Sequence, residues 1–299
     1  MAEPPTLLAM SGDRRHWLAR AKINLYLHVS GKRADGYHCL DSLIVFASLG
    51  DTIDVEASDD LALTIEGPFA AGLPVDQNNL ILQAAMSLAQ AAGIRPRARI
   101  KLRKTLPVAA GLGGGSADAA ATLLALRALW RLSIDDVVLH RLAAGLGADV
   151  PVCLTDRPSL VGGIGHEVRP APPLPPFALL LVNPGQAVST AAAFEGLPDT
   201  FRSSRPWREH TDRTAALAQA LAERRNDLEP AARRLAPVIG EVIEAVAALP
   251  HCRLARMSGS GATCFGLFDN LAQAQSAAGT LAAARTSWWV QASGIERLG

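Results

Sequence analysis

Residues 107–118, PVAAGLGGGSAD, put four glycines and a serine directly ahead of a long run rich in alanine and leucine. Each glycine costs roughly 1 kcal/mol relative to alanine in regular structure, so a cluster of them marks a backbone that something must approach closely. The run behind them reads as a helix from Ser116 to about Arg131, so the loop opens onto a helix N-terminus. First-turn N–H groups have no intrahelical partner there, and the helix dipole adds about half a positive charge. Such a place suits an anion, and the phosphates of a nucleotide are the anion it suits best. Two common phosphate loops do not apply. No lysine follows the glycines as GxxxxGK[ST] requires, and GxGxxG fails because Ser116 stands where the third glycine belongs. A tight strand-to-helix turn would explain one or two glycines, but not Gly-Leu-Gly-Gly-Gly-Ser.

The elements that must position this loop are legible around it. AKINLYLHV (21–29) alternates Ile23, Leu25 and Leu27 with Lys22, Asn24, Tyr26 and His28, which predicts a half-buried strand. GKRADGYH is a turn by composition. Strands are expected at 43–49, 52–57, 61–67 and 98–104, the last with Ile100 and Leu102 on one face and Arg99, Lys101 and Arg103 on the other. A helix over 78–92 starts at Asp76 or Asn78 and stops at Gly93. A further helix, 134–144, leads into GLGADVPVCL. The C-terminal part reads strand 177–183, helices 214–225 and 231–248, strand 253–257, glycine turn, strand 263–268, helix 271–284 and strand 287–292. Residues 1–15 read as a loose leader, and PAPPLPP (170–176) as a linker. The expectation is an α+β chain of two domains, 16–169 and 170–299.

Bulk properties exclude several function classes. The chain has 299 residues, 49% hydrophobic and 19% charged, which describes a globular protein with room for two cores. Its net charge of +1 offers no basic patch for nucleic acid. The four cysteines, Cys39, Cys153, Cys252 and Cys264, lack metal-ligand or disulfide spacing. The opening MAEPPTLLAMSGDRRHW lacks the apolar core of a signal peptide, and no apolar run reaches about 18 residues. A cytoplasmic protein without nucleic-acid or membrane partners is expected. Only four lysines, Lys22, Lys32, Lys101 and Lys104, stand against 25 arginines. In that background a lysine marks a place for a compact point charge.

LPVAAGLGGGSADAAA resembles the phosphate-binding motif of the galactokinase, homoserine kinase, mevalonate kinase and phosphomevalonate kinase (GHMP) superfamily. AKINLYLHV resembles its N-terminal motif and MSGSGATCFGLF (257–268) its C-terminal one, in the superfamily's order. GKRADGYHCLDS (31–42) and GLGADVPVCL (145–154) narrow the resemblance to a branch acting on a cytidylyl sugar alcohol, on the non-mevalonate route to isoprenoids. The resemblance implies a ribosomal-protein-S5-like N-terminal domain, a ferredoxin-like C-terminal domain and a substrate cleft between them. The reaction implied is phosphorylation of the substrate's tertiary 2-hydroxyl by ATP.

Roles follow residue by residue. The loop Pro107, Val108, Ala109, Ala110, Gly111, Leu112, Gly113, Gly114, Gly115, Ser116 and Ala117 would bind ATP. Gly111 to Ser116 would hold the β- and γ-phosphates. Asp149 would accept the hydroxyl proton, and Lys22 would stabilise the alkoxide and keep Asp149 ionised. Taken alone, Lys22 is ordinary strand surface and Asp149 an ordinary helix cap; the motifs around them supply the chemistry. Tyr37 and Phe194 would stack on the cytosine, His38 would bond its polar edge, and Asn24 and Thr190 would contact the substrate. Gly259 and Gly261 would support the loop, and RNDLE (225–229) reads as a helix-cap and packing element. Mg²⁺ would arrive with ATP, with no dedicated cage. Lys101 and Lys104 are within reach of ATP, but read better as a charged strand face. The chain would act as a monomer or homodimer. Another kinase of the superfamily, on mevalonate, homoserine or a sugar, is the nearest alternative; a non-catalytic nucleotide-binding protein is the other.

Overall fold

The computed structural model describes residues 7–11 and 14–295. Their contacts form two compact units. One comprises the described residues up to 21 together with 49–108 and 113–156, and the other 22–48, 109–112 and 157 onward.

In the first unit, strand β1 (Leu7–Ser11) pairs antiparallel with the start of β2 (Arg14–Lys32). The end of β3 (His38–Glu56) is followed by β4 (Leu61–Glu66), helix α1 (Leu80–Ala92) and β5 (Ala98–Arg103). β5 pairs antiparallel with β3 and parallel with β4, giving the order β1-β2-β3-β5-β4. β5 buries Ala98, Ile100 and Leu102 and exposes Arg99, Lys101 and Arg103, the alternation its sequence predicts. Helices α2 (Gly114–Leu129), α3 (Asp136–Leu146) and α4 (Val150–Thr155) follow, and α2 packs on α1 and α4. Every α2 residue from Ala117 to Leu126 is buried, so this helix is held from all sides.

The second unit carries a hairpin of β6 (Ser159–Gly162) and β7 (Glu167–Pro170), β6 pairing with the first part of β3. Next come β8 (Ala178–Asn183), α5 (Thr190–Glu195), α6 (Thr214–Ala222), α7 (Glu229–Leu235) and α8 (Val238–Ala247). β9 (Leu254–Met257), β10 (Cys264–Phe268), α9 (Leu271–Ala284) and β11 (Trp289–Gly294) complete it. An antiparallel sheet in the order β11-β8-β10-β9 packs against α8 and α9. Leu180 and Val182 of β8, Cys264 and Phe268 of β10, and Ile239 and Val242 of α8 share its core.

Several expectations need correction. Of the supposed loose leader, residues 1–6 and 12–13 lie outside the described residues, while 7–11 form a paired strand. The predicted strands 43–49 and 52–57 are one strand, β3. Gly50 marks a close backbone approach to Ala19 and Arg20 where no side chain fits, and Asp51 is a buried anchor, so the pair is no turn. The predicted helix 231–248 breaks into α7 and α8 at Ala236–Pro237, because proline disfavours helical backbone in the residue before it. β6, β7 and α5 went unpredicted for want of length.

β2 is not half-buried: residues 19–29 are buried on both faces. Its polar residues are accommodated by partners. Tyr26 Oη donates to Asp41 Oδ1 at 2.8 Å, and His28 Nε2 accepts from the Arg225 N–H at 3.4 Å. RNDLE packs along the same strand: Leu27 N–H donates to Arg225 O, and Asp227 N–H to Leu27 O. Buried Asn226 donates through Nδ2 to Met257 O and Gly259 O, and its Oδ1 accepts the Leu228 N–H at the start of α7. Asn226→Ala strands two buried carbonyls and an N–H, so urea unfolding is expected to show a loss of about 2–4 kcal/mol.

Candidate active site

The glycine loop leaves β5 through Thr105 and Leu106 and takes left-handed backbone at Ala109 (φ 50°), Gly111 (φ 73°) and Gly113 (φ 63°). Gly113 is the N-cap of α2 and supplies no side-chain cap. The N–H groups of Gly114, Gly115 and Ser116 therefore lack helical partners, and the first intrahelical bond runs from Ala117 N–H to Gly113 O. A side chain at Gly115 would meet only Leu80, at 3.9 Å. The backbone of this helix start is open on the side of its first-turn N–H groups, a geometry that suits an anion.

Within the second unit, Ala110, Gly111 and Leu112 are tied down by two other segments. Lys22 N–H donates to Leu112 O at 2.8 Å, and Thr263 N–H to Ala110 O at 3.1 Å. Ser258 Oγ donates to Gly111 O at 3.0 Å and itself accepts from the Asn24 N–H at 3.2 Å. A Cβ on Gly111 would overlap Ser258 O and meet Gly261 N at 2.8 Å; one on Gly259 would meet Gly111 O at 2.9 Å. Gly259 is thus required by close approach to the loop, and Gly261 by Met257 Sδ, which a Cβ there would meet at 2.7 Å; both also have positive φ.

Lys22 is buried at 4% exposure, and its Nζ donates to Asn24 Oδ1 at 3.0 Å. Asn24 Nδ2 donates to Ser42 Oγ at 2.8 Å, which fixes the orientation of the amide and so aims its oxygen at the ammonium. The surface reading of Lys22 is therefore wrong. Asp149, in the first unit, directly precedes α4, and its carboxylate makes no capping bond to that helix. Thr190 opens α5 and shares a 2.9 Å hydrogen bond with Ser260 Oγ, between the two SGSGA glycines.

His38 and Phe194 lie together, ring centroids 5.0 Å apart at 26°, with Phe201 edge-on to His38 at 6.0 Å. Tyr37, at the end of the β2–β3 turn, is 59% exposed. Burial, with the nearby Lys32 charge, lowers the His38 pKa, so the imidazole is neutral at pH 7 and offers one donor and one acceptor. Lys101 is strand surface, ion-paired with Glu66 at 2.9 Å. Lys104 is not: at 3% exposure it lies between Asp51 and Asp118, in phase with buried Ile100 and Leu102, where its charge alone had suggested surface. Ser258, Ser260 and Phe201 were also missed; serine in a glycine turn carries no signal of its own. Among the described residues no group of three or more His, Cys, Asp or Glu is arranged to hold a metal, and no helix is long and apolar enough to cross a membrane.

Residues 79–157 match the family of GHMP kinases N terminal domains, and 209–285 that of GHMP kinases C terminal domains. The 4-diphosphocytidyl-2-C-methyl-D-erythritol kinase of Rhodospirillum rubrum is 52% identical over 274 residues, 92% of this chain and 90% of its own. That of Paramagnetospirillum magneticum is 50% identical over 272 residues, 91% of this chain and 95% of its own. The chain belongs to the 4-diphosphocytidyl-2-C-methyl-D-erythritol kinase family. A crystal structure of a 4-(cytidine 5'-diphospho)-2C-methyl-D-erythritol kinase agrees, with TM-score 0.75, 37% identity and coverage of 93% of this chain and 99% of the other. Homoserine kinase from Cytophaga hutchinsonii shares the fold at 19% identity and TM-score 0.69, covering 98% of each chain. The expected α+β architecture with GHMP kinase N- and C-terminal domains is thereby established, and with it an ATP-dependent small-molecule kinase.

Gly111→Ala forces the loop off Ser258 and Gly261. It is expected to lower kcat/KM by about 100-fold or more while circular dichroism stays native, since misplacement by about 1 Å costs that much.

Proposed function

We propose that the chain transfers the γ-phosphoryl group of ATP to the 2-hydroxyl of 4-diphosphocytidyl-2-C-methyl-D-erythritol, giving ADP and the 2-phosphate. The observation that carries this reading is the backbone-lined start of α2, whose partnerless N–H groups follow left-handed Gly111 and Gly113, in a chain half identical to kinases of that name. The ring pair of His38 and Phe194 supports a base-bearing acceptor; mevalonate, homoserine and simple sugars carry no aromatic base for it to meet.

Phosphoryl transfer asks the protein mainly for position and charge. In this reading residues 107–117 bind ATP, and the N–H groups of the helix start carry the phosphates. Asp149 accepts the proton of the 2-hydroxyl. Lys22, aimed by Asn24, stabilises the developing alkoxide and the transferring group. Tyr37 and Phe194 cover the cytosine, neutral His38 bonds its edge, and Asn24 and Thr190 contact the sugar alcohol. Gly259 and Gly261 hold the loop. In this reading Mg²⁺ would arrive with the nucleotide, since Mg²⁺ usually binds through phosphates and one or two protein oxygens. When bound, Mg²⁺ neutralises charge on the β- and γ-oxygens. We place the functional division near residue 170, with 16–169 carrying the nucleotide; the two matched family segments fall on either side of that position. Four free cysteines support a cytoplasmic setting.

Three sets of variants test the assignments. Asp149→Asn and Lys22→Met should each lower kcat by about 10²–10⁴-fold while ATP still binds; activity within a few-fold of the parent in both would refute the roles. Phe194→Ala should raise the KM for the cytidylyl acceptor about tenfold with little change in kcat, stacking being worth roughly 1–3 kcal/mol per base. Because His38 must be neutral to accept a hydrogen bond, acceptor KM should be flat across neutral pH and rise only below the ordinary histidine range, a rise His38→Ala should abolish.

A further inference from the structure

Beneath the start of α2 lies a charged cluster with no part in the roles given above. Lys104 Nζ donates to Asp51 Oδ2 at 2.6 Å and to Asp118 Oδ2 at 2.7 Å, and all three side chains are buried. The two carboxylates differ. Asp51 Oδ1 accepts from the N–H groups of Thr105 and Leu106, the residues that lead into the loop. Asp118 Oδ1 is buried without a partner. The ammonium also abuts the loop: a Cβ on Gly114 would lie 3.1 Å from Lys104 Nζ. One cation therefore joins the strand exit to the first turns of α2 and lies against the residue that begins the anion-binding N–H row.

We propose that Lys104 is a positioning residue for nucleotide binding, which fixes the start of α2 through Asp118 and offsets the negative charge of Asp51 and Asp118 beneath the phosphate-binding backbone. The inference rests on the reading of that backbone as the ATP site. With Lys104 buried and its ammonium bonded to both carboxylates, its effect is carried by Gly114 and by the local field. Without the ammonium, the buried carboxylate of Asp51, and that of Asp118 at a pH where it is ionised, would face an incoming polyphosphate at short range in a low-dielectric setting, where like charges repel strongly. The proton affinities agree with this balance. Burial pushes the Asp118 carboxyl up to about 7, with Lys104 opposing and Asp51 adding to the rise. On Lys104, burial opposes the charge, but attraction to Asp118 and Asp51 outweighs it and raises the pKa.

The test is titration calorimetry of the full chain with the magnesium complex of a non-hydrolysable ATP analogue, beside acceptor KM in the steady-state assay. Lys104→Met should weaken analogue binding about 100-fold and leave acceptor KM within twofold. With both variants measured at pH 8.5, adding Asp118→Asn to Lys104→Met removes the charge of ionised Asp118 and should recover at least tenfold of the loss, a recovery that a purely packing role would not give. Asp118→Asn alone, at pH 8.5, should bind the analogue several-fold more tightly than the parent. Unchanged analogue affinity in Lys104→Met, or no recovery in the double variant, would overturn the proposal. If Lys104→Met does not fold, Asp118→Asn decides, and weaker binding there would overturn it. A parent protein that does not bind the analogue would defeat the ATP-site reading itself, and this inference with it.

Discussion

Gly111 and Ser258 meet backbone to backbone, and the geometry of the loop hangs on that contact. Ser258 is bonded on one side to Gly111 O and on the other to the Asn24 N–H, while Thr263 and Lys22 hold the carbonyls of Ala110 and Leu112. Two segments far from the loop in sequence thus fix three consecutive loop residues through the carbonyls of those residues. The contact tolerates no side chain at Gly111, which explains why the chain accepts the entropy cost of glycine there.

Charge placement follows a similar logic in each unit. In the second unit the Lys22 ammonium is buried and directed by an amide whose own orientation is set by Ser42. In the first, Lys104 is buried between two carboxylates. A buried ammonium without such partners would lose its proton or destabilise the fold. The scarcity of lysine acquires meaning here: two of the four lysines are buried point charges at or beside the glycine loop, in a chain that otherwise uses arginine.

How much of this could be read from sequence depended on whether the signal was local. The glycine loop, the α1 stop at Gly93, the alternation of β5 and the span of α9 were legible because composition and periodicity over a few residues determine them. β2 was misread as half-buried because alternation of polar and apolar residues normally signals one wet face; here the polar face is buried and satisfied by Asp41, Ser42 and Arg225 from elsewhere in the chain. Strands 43–49 and 52–57 were read apart because the need for glycine at position 50 comes from the neighbouring strand, at Ala19 and Arg20. Lys104 was misplaced because its partners lie 53 and 14 residues away. Lys22 and Asp149 drew attention through the motifs around them, and no local property of either residue would have singled it out.

The most direct measurement is ADP release by the purified chain with Mg-ATP, offering 4-diphosphocytidyl-2-C-methyl-D-erythritol beside mevalonate, homoserine and galactose. Turnover of the cytidylyl compound alone is the predicted result. Turnover of one of the other three with none of the cytidylyl compound would contradict it, leaving the phosphate loop in place and removing Tyr37, His38 and Phe194 from the base site.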